Sequence, residues 1–213
     1  MRKSLFALLC CLIFCTGCVV GQKIPYTYTP EGGKTVDGST AYAVSISVTD
    51  DRPYVVSGRK DSSFIGKYRG GFGNPWDVKT EDKIPLALSL QRDLAIELRQ
   101  AGFTVVTADA QRRLVISIKD YNFDCFVNCR VWHNLHVEVK DNAGTLLHSR
   151  DVIAEQTVSG HVLTGPLGVM KEEMPKIYGK MIREIVRNDP ALLAALQRSE
   201  TPPATAQTNR KKP

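Results

Sequence analysis

Ser57-Gly58-Arg59-Lys60 matches S-x-x-K, the spacing at which a lysine activates a serine nucleophile. That chemistry needs a helix to set Lys60 one turn from Ser57, together with S-D-N and K-T-G elements that the chain lacks. The segment reads as loop, so acyl transfer is not expected. His133 and His136 stand three apart in a stretch of strand character. They therefore point to opposite faces and do not converge on a metal. His133 shares its face with Val131, Leu135, Val137 and Val139 and reads as a core histidine, while His148 and His161 have no motif partners. Arg69-Gly70-Gly71-Phe72-Gly73 lacks a G-x-G-x-x-G continuation and a preceding strand, which argues against a phosphate cradle. No catalytic residue, metal site or cofactor is expected.

The cysteines point elsewhere. Four of the six lie at or before Cys18, and the other two form the pair Cys125-Phe126-Val127-Asn128-Cys129. On one straight strand the two sulfurs would stand about 13 Å apart, at ~3.3 Å per residue, too far to bond. At a hairpin tip with a three-residue loop they would face each other. Both flanks, 114–123 and 131–140, have strand character, so a Cys125–Cys129 disulfide is expected, with a free buried pair as the alternative. Two cysteines without matching His or Cys spacing make no zinc site.

Met1-Arg2-Lys3 followed by the apolar run 5–14 reads as a secretory signal. The run is too short for a membrane span of about 20 residues, and no A-x-A-like cleavage site follows it. Instead Thr16 and Gly17 stand directly before Cys18. This order resembles the lipobox of bacterial lipoproteins, with Cys15 at the position where leucine is usual. The resemblance implies cleavage before Cys18, acylation on its sulfur and new amino group, and attachment to a membrane. Val19 rather than Asp after the cysteine implies, by the enteric sorting convention, the outer membrane facing the periplasm. An exported compartment also permits the disulfide.

The net charge of +6 says little about partners. Arg2 and Lys3 leave with the signal, and Arg210, Lys211 and Lys212 sit at the extreme end, so the folded body is close to neutral. Nucleic acid is not an expected partner.

The elements that would position these residues read as follows. Residues 1–17 are the signal peptide and 18–40, with Pro25, Pro30, Gly32, Gly33 and Gly38, a tether. A single domain spans 41–198, and 199–213 is a Pro-, Thr- and Lys-rich disordered tail. Tyr42, Val44, Ile46 and Val48 alternate with small polar residues, as in a half-buried strand. Leu86, Leu90, Leu94 and Leu98 repeat every four residues in a helix with Asp82 as its cap and Pro85 in its first turn, ended by Gly102. A short strand at 103–107 and a meander over 112–124, 129–141 and 145–158 follow. A second helix occupies about 168–187, with Pro175 starting or kinking it, and Asp189-Pro190 caps a short third. The order predicts an α+β fold: a mostly antiparallel sheet of about five strands with two main helices packed on one face.

Residues 50–82 show neither period and read as a long loop. Tyr54, Phe64, Tyr68, Phe72 and Trp76 are interleaved there with Arg52, Arg59, Lys60, Lys67 and Arg69. Aromatic and arginine side chains are common interface anchors, which makes Arg52, Tyr68, Arg69, Phe72 and Trp76 the candidate partner-binding residues. The other reading is that the aromatics fold back over one end of the sheet.

The lipobox, a strand running into Val48-Thr49-Asp50-Asp51-Arg52-Pro53, the Ile65-Gly66 step and a helix ending Ala101-Gly102-Phe103 together resemble the YajG-type family of bacterial envelope lipoproteins. Similar layouts occur in lipoprotein accessory subunits of envelope transport systems. The resemblance covers residues 15–160 and implies location and fold more than mechanism. The resulting expectation is a non-catalytic lipoprotein that docks on or stabilises another envelope protein. The alternative is a small-ligand or lipid-binding domain. A ligand binder should show an apolar cavity of roughly 300 Å³ or more with a few polar groups inside, whereas a docking protein should expose an apolar or aromatic patch.

Overall fold

Three long strands form the backbone of the molecule: β6 (Arg112–Cys125), β7 (Cys129–Asp141) and β8 (Leu146–Val158), joined as an antiparallel meander. The computed structural model describes residues 22–36, 41–70, 73–160 and 165–197. The lipidation position Cys18, the candidate Phe72 and the tail 199–213 lie outside the described residues. Leu114, Ile116 and Ile118 of β6 face inward; a bulge at 118–120 then shifts the phase, so that Tyr121, Phe123 and Cys125 also face inward. The register pairs Cys125 with Cys129 across the turn, and the two form a disulfide.

Five shorter strands complete the sheet: β1 (Gln22–Ile24), β2 (Ala43–Asp50), β3 (Phe64–Arg69), β4 (Pro75–Thr80) and β5 (Thr104–Val105). The free edge of β6 is shared by two branches. Its first half pairs with β2, which carries β5, and its last residues pair with β3, which carries β4 and then β1. The sheet therefore has eight strands and is mixed, with four of its seven strand pairings parallel. The expectation of a mostly antiparallel five-stranded sheet is corrected on both counts. It missed β1, β3 and β4, whose parallel partners lie far away in sequence.

Four α-helices accompany the sheet among the described residues: α1 (Pro53–Val56), α2 (Leu86–Ala101), α3 (Gly165–Val186) and α4 (Pro190–Leu196). The long α2 and α3 pack on each other and on the inner face, as expected. The leucines at 86, 90, 94 and 98 are buried, and Gly102 closes α2 in the left-handed region at φ 110°. A side chain at 102 would strike the carbonyl of Val36, so glycine is required there twice over. Asp82 does not cap α2: it sits in a 3₁₀ turn at φ 57°, and Pro85 takes the N-cap position without a side-chain bond. Asp189 caps α4 as read, accepting from the backbone N–H groups of Ala191 and Leu192 at 3.0 Å each. Pro175 lies inside α3, which runs through it.

The expected tether is also corrected. Residues 22–36 are packed into the domain, with Ile24, Tyr26, Tyr28 and Val36 buried. After β1 the segment crosses α2 and α3 as a strap. Thr35 and Val36 donate to the carbonyl of Ala101 at 3.0 Å, and Arg187 Nη1 donates to Gly33 O at 2.8 Å.

Candidate docking surfaces

The stretch 50–82 is not a loop, and it separates the residues that were read together. Arg52 is fully buried at the point where β6 passes from one branch to the other. Its guanidinium donates to Asp50 through Nε and Nη2 at 2.7 Å each, to Phe64 O at 2.6 Å, to Ser62 O at 3.2 Å and to Tyr121 O at 3.3 Å. Tyr54 donates its hydroxyl to the same Tyr121 carbonyl at 3.0 Å. Burial works against the charge on Arg52, and the hydrogen bonds and attraction of Asp50 more than offset it, so its pKa stands above the ordinary value. The Asp50-Asp51-Arg52-Pro53 motif is thus a clasp for the forked sheet. Arg52 is removed from any docking surface.

Tyr68 and Trp76 are cross-strand neighbours in the β3–β4 hairpin, and Tyr68 is also level with Cys125 of β6. Tyr68 is half-buried against the core, whereas Trp76 is 45% exposed. Arg69 forms a two-pronged pair with Asp124 at 2.8 and 2.6 Å, and its hydrogen bonds hold the Asp124 carboxyl below its usual range. The structure therefore gathers Tyr68, Arg69 and Trp76 at one end of the sheet, beside the disulfide tip. There Phe126 and Val127 are 51% and 67% exposed.

Ser57 accepts from Arg59, and Lys60 is held by both oxygens of Asp77 at 2.6 and 2.7 Å, so no Ser–Lys pair forms. One constellation was not foreseen. His136 Nδ1 lies 2.7 Å from Asp151 Oδ1, and its Nε2 lies 3.3 Å from Ser149 Oγ. The order matches nucleophile, base and carboxylate, and counting back from the turn at 142–144 would have paired His136 with Asp151. The group lies on the open outer face of the sheet, where Glu138 also approaches His136 Nε2 at 3.7 Å. Backbone N–H groups of a ladder lie in the sheet plane, so none points above it to stabilise an oxyanion. The three residues form a surface hydrogen-bond chain.

The buried polar groups between α2 and α3 belong to the strap. Tyr28 donates to Glu97, which also receives Arg187. Tyr178 donates to Asp93 at 3.0 Å, and Tyr26 shares a 2.7 Å bond with Tyr121. Burial raises the pKa of Tyr26, Tyr121 and Tyr178 well above the phenol range. Sequence reading passed over Asp93 and Glu97, although acidic residues on the leucine face of a helix signal buried partners.

Three hollows were compared with the ligand-binding expectation. The one beneath β7, β8 and α3, lined by Val131, His133, Ile177 and Met181 among others, holds about 40 Å³. That is room for a few water molecules at roughly 10–15 Å³ each. His133 lines it with Nε2 lacking a protein partner, and burial depresses the imidazole pKa against a weaker opposite pull from Glu184. A polar hollow of about 350 Å³ lies beside the strap at Tyr28 and Arg92. The third, about 370 Å³, is an open groove between α2 and the β2–β5 edge. Ile46, Ala95, Val105 and Val106 line it, with Leu88 57% exposed and the arginines Arg92 and Arg99 at its margin. Arg92 is paired with Asp93, whereas Arg99 is exposed and has no acidic partner among the described residues. The third reaches the volume of a ligand site but lies open to solvent, the second is polar, and the first is too small for a ligand.

No protein-family profile and no curated protein matches this chain. Among solved structures it is similar to XCC0632 from Xanthomonas campestris, a protein of the DUF330 family. The TM-score is 0.51 at 11% identity, covering 77% of this chain and 93% of that one. A Caulobacter crescentus protein described provisionally as a lipoprotein aligns with a TM-score of 0.34 at 13% identity, over 50% of this chain and 77% of its own. The PelC dodecamer subunit of Paraburkholderia phytofirmans aligns at 0.38 and 12% identity, over 81% and 98%. The first likeness shows a shared fold. The other two are too loose to carry an argument, and none of the three shows the YajG-type family specifically. No helix among the described residues is long and apolar enough to cross a membrane.

Proposed function

We propose that this chain is a non-catalytic envelope lipoprotein, anchored through Cys18, that docks on another envelope protein through the α2–β5 groove. The observation that carries this reading is the groove itself: an open, apolar-lined channel with an exposed leucine and an arginine that has no acidic partner among the described residues. It lies beside Ser45 and Ile46, which pair with Arg113 and Leu114 of β6. Gln22, by contrast, is level with Phe123 through Val78 and Gly66. At ~3.3 Å per residue the groove is roughly 30 Å along the sheet from the point where the anchored segment joins it. Such a spacing presents the groove away from the membrane. Its chemistry suits an apolar segment carrying a carboxylate for Arg99. The partner-binding reading of 50–82 gives way here because Arg52 is buried and Lys60 and Arg69 are paired.

The test is a photo-crosslinking residue at position 88 in intact cells, compared with one at Ile153 on the exposed edge of β8. The expected result is one defined envelope protein captured from position 88, lost in Arg99→Glu with an unchanged melting curve. The same capture pattern from both positions would remove the groove from the account.

A further inference from the structure

We propose that the disulfide tip and the adjoining Trp76 end of β4 form a membrane-contact face, with Trp76, Phe126 and Val127 dipping into the phospholipid surface; this rests on acylation of Cys18. Its basis is the length of chain between the anchor and the folded sheet. Cys18 precedes Gln22 by four residue steps, which reach at most roughly 14 Å at about 3.3–3.6 Å each. Gln22 is not at the end of a free arm: it is registered against Val78 of β4. Val78 pairs with Gly66, and Lys67 pairs with Asp124, so Gln22 lies about level with Phe123. The Cys125–Cys129 tip is two residues further along β6, or about 7 Å. Trp76, Tyr68 and Cys125 share one level across three strands. The acyl chains thus start within reach of this end, whichever way residues 18–21 run. The opposite end of β6 is far beyond that reach.

What this end presents fits the same conclusion. Trp76, Phe126 and Val127 are each about half exposed or more. The disulfide and the register hold Phe126 and Val127 at the tip of a braced hairpin. Aromatic side chains favour the headgroup region of a bilayer. Lys23, exposed beside this end and without an acidic partner among the described residues, suits anionic headgroups. The carboxylates nearby are already matched: Asp124 with Arg69, Asp77 with Lys60, Glu155 with Arg130.

The experiment uses the full processed chain, purified from cells and reconstituted into phosphatidylglycerol–phosphatidylethanolamine vesicles. Intact mass reports whether Cys18 carries acyl chains. Trp132→Phe leaves Trp76 as the one tryptophan, and Trp76→Phe leaves Trp132, which is held by Asp120 at 2.8 Å on the outer face. With vesicles brominated on their acyl chains, emission from Trp76 should fall at least about twofold and shift to the blue, as for a ring roughly 5–10 Å deep. Trp132 emission should be unchanged. Acylated protein with Trp76 unquenched overturns the membrane face and leaves the lipoprotein reading standing. Protein without acyl chains overturns the lipoprotein reading, and quenching of Trp76 by excess vesicles then decides the face by itself. If Trp132→Phe does not fold, loss of quenching in Trp76→Phe relative to the unaltered chain gives the same answer. A photo-crosslinker at position 126 that captures protein rather than phospholipid in cells also overturns it.

Discussion

The fork at Arg52 and the strap across α2 and α3 are both built from buried polar groups, but they are wired differently. At the fork one guanidinium serves Asp50 and three backbone carbonyls, which belong to residues 62, 64 and 121. Those carbonyls are fixed by the sheet and cannot be removed by changing a side chain. At the strap the buried partners are side chains, Tyr28 and Arg187 on Glu97 and Tyr178 on Asp93, and the one backbone bond of Arg187, to Gly33 O, is exposed. Such a cluster can be replaced as a set. Tyr121 joins the two, giving its carbonyl to the fork and its hydroxyl to Tyr26 of the strap. A polar group tied to backbone is part of the fold's geometry, whereas one tied to side chains is one solution among several.

That contrast can be broken by substitution. Arg52→Met should cost about 3–5 kcal/mol in chemical denaturation, because Asp50 is left as an uncompensated buried charge. Adding Asp50→Leu should recover only part of this, since the Phe64 carbonyl still lacks its guanidinium donor, at about 1–3 kcal/mol, while Tyr54 keeps Tyr121 O and the Leu86 N–H keeps Ser62 O. At the strap, Glu97→Ala alone should cost about 1.5–3 kcal/mol. Replacing Glu97, Arg187 and Tyr28 together by Leu, Met and Phe should bring the loss back to about 1 kcal/mol or less. Equal recovery at both sites would erase the distinction. Cys125→Ser with Cys129→Ser gauges an element outside both networks; opening the five-residue loop should cost about 2 kcal/mol. Tyr121→Phe cuts the hydroxyl link alone and should cost about 0.5–1.5 kcal/mol, with the fork intact.

The smallest effect is in pH. His133 stacks near Tyr121, with ring centroids 6.5 Å apart, and burial lowers its folded pKa below the ordinary 6.5. Below about 6.5 the unfolded chain takes up that proton first. Its contribution to stability is therefore complete above 6.5 and falls as pH drops toward the folded value, at no more than about 1.4 kcal/mol per pH unit. His133→Phe should flatten the stability profile in that window relative to the unaltered chain.

The sequence was legible wherever pattern and contact are local. The leucine repeat of α2, the Gly102 stop, the Asp189 cap and the three meander strands all follow from neighbours within a few turns. The disulfide followed from the same hairpin geometry. What escaped depends on distant partners. Phe64, Ile65 and Gly66 are all buried because a bulge interrupts the alternation, and Gly66 must lack a side chain to clear the Phe123 ring. A strand without period 2 does not announce itself. β1 has three residues and pairs with β4 more than fifty positions away. Its Pro- and Gly-containing continuation looks like a linker until α2 and α3 are in place beneath it. The site residues divided on the same line: Trp76 kept its exposure, while Arg52 vanished into a junction that a linear reading cannot see.

The strap also sets an order of events for a chain that is synthesised N-terminus first. Tyr26 meets the ring of Tyr178 at 4.7 Å, and Gly33 is held by Arg187. The earliest part of the folded domain to emerge must therefore wait for almost the last. Until α3 arrives, Tyr26 lacks the ring of Tyr178 and Gly33 lacks its Arg187 donor, so the strap rests on β4, β6 and α2 alone. Closure of the strap is long-range and correspondingly slow, and it completes only when the whole domain has been made. The first residues of the domain to be made are thus among the last to be closed into it.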